Sequence, residues 1–193
     1  MPDVIVITGP PGSGKSTLSK ALATKLTPST LVSGDAFFAF LHSGAVDPWL
    51  EEAAAQNKTV IEAAAAAVGR LARRFRVVYD GVLGPWYLPS FLDQSGLQSL
   101  HYAVLLPPLT VCLDRVTERR NHGFTDLDAT QHMWQDFKRS IDDGFERHVI
   151  DTLEDPSELV RMLAERMDDR TISYPSTPSP GQPGLLHGPV TLR

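Results

Sequence analysis

The sequence has a single cysteine, Cys112, so no disulfide can form within the chain. Nothing therefore points to an oxidising compartment. Long apolar runs are also missing. The N-terminal run Val4-Ile5-Val6-Ile7 lies between Asp3 and Thr8 and is too short for a signal peptide. No stretch approaches the roughly 20 apolar residues of a membrane span. Basic charge is scarce: 18 Lys and Arg against 23 Asp and Glu leave a net charge of −5. A polyanion binder draws its affinity from Lys and Arg on phosphates, so a nucleic-acid partner is not expected. The histidines show no metal-ligand spacing with Cys112, so no structural zinc is expected. The deficits together predict a cytoplasmic protein that engages neither membrane nor nucleic acid.

Enough apolar residues remain, 42 %, to bury the core of one ordinary domain. Five of the 15 prolines fall in residues 171–193, which carry no acid and one base, Arg193. A Pro- and Gly-rich stretch of this kind holds neither helix nor central strand. The expected organisation is a domain over residues 1–170 and a Pro-rich flexible tail over 171–193.

Within the domain, short apolar runs alternate with helical patterns. Strands are expected at 4–8, 30–32, 76–80, 102–106 and 149–150. Helices are expected at 15–26, 35–42, 49–56, 59–75, 109–119, 127–147 and 156–167. Short buried strands separated by helices predict an α/β fold, with a five-stranded parallel sheet in three layers. Cys112 shares an apolar helix face with Leu109 and Val116, which reads as core.

Gly9-Pro-Pro-Gly-Ser-Gly-Lys15-Ser16 matches G-x-x-x-x-G-K-[ST], between a buried strand and a helix. Glycines let successive N–H groups curl towards phosphate oxygens, and the helix start adds its positive end. Gly9, Gly12, Ser13 and Gly14 are thus expected to cradle a triphosphate. Lys15 reaches its outer phosphates, Ser16 places a hydroxyl on Mg²⁺, and Thr17 holds the inner phosphate. Val77-Val78-Tyr79-Asp80 is an apolar strand ending in an acid at the sheet's ligand edge, which makes Asp80 a second candidate for Mg²⁺.

Two further features point to phosphoryl transfer. Ser33-Gly34-Asp35 follows the second strand, which is expected to place Asp35 beside the phosphate loop, where it can accept the proton of an attacking hydroxyl. It can equally cap the helix after it. Residues 115–126 are a basic helix end running into a polar loop, with Arg115 and Arg119 four apart. A lid needs such arginines to neutralise a transferring phosphoryl group. No Asn-Lys-x-Asp guanine-reading sequence is present, which favours ATP.

Over residues 3–168 the chain resembles the small phosphate-loop kinases: gluconate kinase, shikimate kinase, adenylate kinase and chloramphenicol phosphotransferase. The resemblance is carried by residues 9–17, Gly34-Asp35, Asp80-Gly81 and residues 115–124. Residues 119–124, Arg-Arg-Asn-His-Gly-Phe, look like a gluconate kinase lid. His148-Val-Ile-Asp-Thr152 is similar to the late strand and turn near adenine in these kinases. The resemblance implies a P-loop nucleoside triphosphate hydrolase/kinase fold, ATP and Mg²⁺ as cofactors, and Asp35 as catalytic base or as Mg²⁺ and substrate ligand.

The acceptor is expected between Asp35 and Gly84. From residue 27 to 69 the only base is Lys58, so no arginine is available to grip an anion. The segment offers aromatics (Phe37, Phe38, Phe40, Trp49) and acids (Asp35, Asp47, Glu51, Glu52, Glu62), and Trp86 and Tyr87 follow. This predicts a hydroxyl-bearing small molecule, neutral or cationic, of antibiotic, nucleoside or sugar type. The catalytic set is then Lys15, Asp35 and Arg119, with Arg115 and Arg119 also on the nucleotide. The alternative is an ATP-binding regulator or switch that phosphorylates no acceptor, with the tail as partner contact.

Overall fold

The computed structural model describes residues 3–118, 124–150 and 155–175. In chain order the elements are β1 (Val4–Thr8), α1 (Lys15–Lys25), β2 (Ser29–Ser33), α2 (Gly34–Phe38), α3 (Ala54–Leu71), β3 (Arg76–Asp80), α4 (Leu88–Ser95), β4 (Leu100–Leu105), α5 (Leu109–Glu118), α6 (Leu127–Asp142), β5 (Val149–Ile150), α7 (Pro156–Asp168) and β6 (Ser173–Tyr174).

β1 is buried along its whole length, as its unbroken apolar run demands of a central parallel strand. β3 and β4 flank it, both parallel, and the order across the sheet is β2-β3-β1-β4-β5. This is the expected five-stranded parallel sheet. β6 adds an antiparallel edge on the first residues of β4, where Leu100 faces Tyr174 and His101 faces Ser173. Two residues carry no readable period, so this strand had no sequence signal. It lies past Arg170, and Ile172 before it is fully buried, so packing continues beyond the expected boundary.

Alternate strand residues feed opposite faces. On one face Ile5, Ile7 and Val78 pack against Leu18 and Leu22 of α1 and Leu159 and Leu163 of α7. On the other, Val4, Val6, Val77, Tyr79 and Tyr102 meet Ile61, Ala65 and Val68 of α3, Phe91 of α4, and Phe137 and Ile141 of α6. Three layers result. Cys112 is fully buried in α5, as expected. No helix among the described residues is long and apolar enough to cross a membrane.

Several element ends differ from the sequence reading. No separate helix spans 49–56. A 3-10 turn at Glu51–Ala53 runs straight into α3, because no glycine or proline breaks the chain there. α6 stops at Asp142, ahead of Gly144, which takes a positive φ of 111°.

His148 is fully buried beneath β4. Its Nε2 accepts from Arg147 Nε at 3.1 Å, so Nδ1 carries the proton and donates to the Tyr102 carbonyl at 2.9 Å. Burial pushes its pKa down to about 4, with the Tyr102 carbonyl opposing and Arg147 adding to the fall. The unfolded imidazole takes its proton near pH 6.5, ahead of the folded one. Stability from this site is therefore complete above about pH 6.5 and is lost as pH falls towards 4, by about 3 kcal/mol in all. Urea unfolding between pH 7 and 4.5 is expected to show this slope, and His148→Gln to flatten it.

Candidate functional site

Strand register assembles the site. Asp80, the last residue of β3, pairs with Ile7 of β1 on one side and Ser33 of β2 on the other. The phosphate loop after β1, Asp80, and Gly34-Asp35 after β2 thus share the carboxyl edge of the sheet, where ligands bind in open α/β folds. β3 lies between the phosphate loop and Asp35. Asp35 is therefore one strand removed from the loop, with Asp80 in between.

The loop is packed without spare room. Gly12 has φ +79°, and a Cβ there would lie 2.3 Å from the Cys112 carbonyl oxygen of α5. Gly12→Ala combines a clash with a left-handed conformation and is expected to lower stability by on the order of 1–3 kcal/mol. Thermal unfolding, with ATP binding measured in parallel, checks this. Arg115 reinforces the same contact: its Nη1 donates to the carbonyls of Gly12 at 3.3 Å and Ser13 at 3.5 Å. Lys15 Nζ donates to the Pro10 carbonyl at 3.2 Å.

Two buried oxygens at this end have no hydrogen-bond partner among the described residues, Ser13 Oγ and Asp80 Oδ1. Burial raises the Asp80 carboxyl pKa. The Ser16 hydroxyl and then Lys15 pull it back, Asp35 adds to the rise, and Lys20 opposes it. An orphaned carboxylate oxygen beside the Ser16 hydroxyl is a donor set that fits Mg²⁺, a hard cation that takes oxygen ligands. Glycine at 34 is required by packing: a Cβ would come 2.4 Å from Tyr79 Oη. Burial, with Asp35 and Asp80 nearby, holds the Tyr79 phenol well above its usual pKa, so the hydroxyl stays protonated.

Lys15, Ser16 and Asp35 line one cleft of about 660 Å³. Its walls come from three further places. The loop before α3 brings Trp49, held by the Gln56 side chain on both backbone groups of Val46 and by Asn57 Nδ2 on the Pro48 carbonyl. The loop after β3 brings Trp86 and Tyr87. It is pinned at Leu83, whose N–H donates to Thr8 Oγ1 at 2.8 Å and whose carbonyl accepts from Tyr102 Oη at 2.6 Å. The third wall is α6, through Asp128, Ala129, His132, Met133 and Asp136.

Of the aromatics named from sequence, Phe38, Trp49, Trp86 and Tyr87 line the cleft. Phe37 packs on the core and Phe40 is largely exposed. Glu62 is engaged elsewhere, by Ser90 and Lys58. Thr17 is exposed in the first turn of α1, outside the cleft lining. Arg119 and His122 of the expected lid, and Asp151 and Thr152, lie outside the described residues. The α6 wall was missed from sequence. Its available signal was the four-residue spacing of Asp128, His132 and Asp136, which puts all three on one helix face.

The AAA domain family model matches residues 4–143. The chain belongs to this family. The match takes in the phosphate loop, Asp35, Asp80 and the α6 wall of this AAA domain. No curated protein matches it. Solved structures share its fold. The Deinococcus radiodurans tunicamycin resistance protein is 18 % identical, with a TM-score of 0.63, covering 86 % of this chain and 96 % of that one. A gluconokinase from Sinorhizobium meliloti 1021 is 23 % identical, with a TM-score of 0.59 and coverage of 88 % and 94 %. A sugar kinase from Janibacter sp. HTCC2649 is 18 % identical, with a TM-score of 0.62 and coverage of 87 % and 95 %. The likeness is one of fold: this AAA domain has the architecture of the small P-loop kinases.

Proposed function

We propose that the protein is an ATP- and Mg²⁺-dependent phosphotransferase acting on a hydroxyl of a small molecule, neutral or cationic. The observation that carries this reading is the single cleft shared by Lys15, Ser16 and Asp35. A nucleotide-binding loop and a carboxylate without a hydrogen-bond or ion-pair partner among the described residues open onto the same space. The names of two fold relatives, a gluconokinase and a sugar kinase, support it.

In this reading the loop amides and Lys15 hold the nucleotide phosphates. Ser16 and Asp80 would hold Mg²⁺, which supplies charge neutralisation at the phosphates. Asp35 accepts the proton of the acceptor hydroxyl as its oxygen bonds to the γ-phosphorus. The bond from that phosphorus to the bridging oxygen breaks, and ADP leaves. Arg115 braces the loop from behind, and Arg119 is assigned the charge that spreads over the transferring group. A cytoplasmic setting, where ATP is supplied, accords with this activity. A small molecule is favoured over a nucleic acid as acceptor, because Lys15 is the only Lys or Arg among the described residues of the cleft lining.

The test is an ADP-release screen with ATP and Mg²⁺ against sugars, nucleosides and hydroxylated antibiotics. One acceptor that raises ADP release well above the acceptor-free rate supports the proposal. ATP binding with no acceptor dependence across the whole screen would favour the regulatory alternative.

A further inference from the structure

The two ends of the cleft differ in sign. Lys15 is the only Lys or Arg among its described lining residues, and it stands at the phosphate end. At the same sheet edge, Asp80 Oδ1 has no hydrogen-bond partner among the described residues, on a residue that is more than nine-tenths buried. The opposite wall is acidic. Asp126 caps α6 by accepting from the Ala129 N–H at 2.8 Å, and Asp136 is paired with Arg139. Asp128 is exposed in the first turn of α6 and has neither a hydrogen bond nor an ion pair among the described residues.

Aromatic rings stand on both sides of this helix face. Trp49 meets Phe124 edge-on at 5.1 Å, just before the α6 cap. Trp86 lies 6.1 Å from Phe137, the neighbour of Asp136. Both indoles line the cleft, yet Trp86 is 51 % and Trp49 37 % exposed. Partly exposed rings on the walls of a cleft give a ligand apolar and stacking surface to cover.

We infer that the acceptor is a cationic alcohol, a molecule carrying an ammonium group as well as the hydroxyl to be phosphorylated; this rests on the phosphotransferase reading above. The hydroxyl lies towards Asp35 and Lys15. The ammonium lies towards Asp128, with the Trp49 and Trp86 rings supplying cation–π surface. An anionic acceptor would face Asp35 and Asp128 with no arginine among the described lining residues to offset them. A neutral polyol would cover the rings but gain nothing from the Asp128 charge.

The experiment uses the full chain loaded with Mg²⁺ and a non-hydrolysable ATP analogue. The probes are 2-deoxystreptamine, a diamino cyclitol, and its N,N′-diacetyl derivative, which keeps the hydroxyls and loses both charges. Calorimetric titration is expected to show the diamine binding at least tenfold tighter, with an advantage that shrinks as salt rises. Asp128→Asn is expected to bring the two affinities together. Asp128 is exposed and outside the core, so the variant folds, which circular dichroism verifies. Equal affinities in the unaltered protein, no binding of the diamine at high millimolar concentration, or an unchanged preference in Asp128→Asn overturns the cation site. ADP release on replacing the analogue with ATP reports separately on the phosphotransferase reading. If the charge preference holds while no alcohol is phosphorylated, that reading fails and the cation site stands.

Discussion

Lys15→Ala is expected to reduce acceptor-dependent ATP turnover by about 10³-fold or more, while the protein remains folded. Removing one preorganised donor from a transferring group typically lowers kcat by about 10²–10³-fold, and here a full charge goes with it. Lys15 lies in the first turn of α1, its Nζ reaches the Pro10 carbonyl, and its side chain lines the cleft. The strands and helices of the core do not depend on it. Thermal unfolding is therefore expected to move little. Lys15→Arg is expected to be nearly as inactive, because a planar guanidinium does not replace a compact ammonium in a loop with a fixed backbone. ADP release against the acceptor found by screening measures both variants. Turnover retained by Lys15→Ala would remove the phosphate-loop mechanism.

Asp35→Asn is the second large effect. A positioned general base contributes typically about 10²–10⁴-fold, and the amide keeps the shape of the carboxylate but cannot take the proton. Acceptor-dependent turnover is expected to fall by that range, while ATP affinity stays within about twofold, since β3 separates Asp35 from the loop. The split distinguishes a base from a helix cap. A capping role would show as lost stability at unchanged turnover, and the cap position of α2 is held by Ser33, with Asp35 inside the first turn. Normal turnover in Asp35→Asn would exclude it as the base.

Much of the fold was legible because its signals are local. β1 and β3 are runs buried at almost every position, and α1 carries Leu18 and Leu22 on one face. Elements without a period of their own were not legible. β6 is two residues long and exists only because β4 offers an unpaired edge. α3 gained a turn and more at its start through the 3-10 segment Glu51–Ala53, which no breaker interrupts.

The site divides in the same way. Lys15, Ser16, Asp35 and Asp80 were named from motif and strand ends, and all stand at one sheet edge. The walls of the cleft were legible only in part. Trp49, Trp86 and Tyr87 lie within the stretch expected to hold the acceptor. Asp128, His132 and Met133 come from a helix far downstream, beyond the segment expected to hold the acceptor, and no local pattern assigns them to that wall.

The phosphate loop is written locally, because a glycine loop and a helix start are complete within eight residues and need no distant partner. The scarcity of basic charge is likewise a property of the sequence, including the arginine-free segment before Gly69. Only the tertiary structure decided that β3 stands between the loop and Asp35, and that α6 closes the cleft with an acidic face. Strand order and helix docking are settled by burying apolar faces across the whole domain, and no local window of sequence contains that balance.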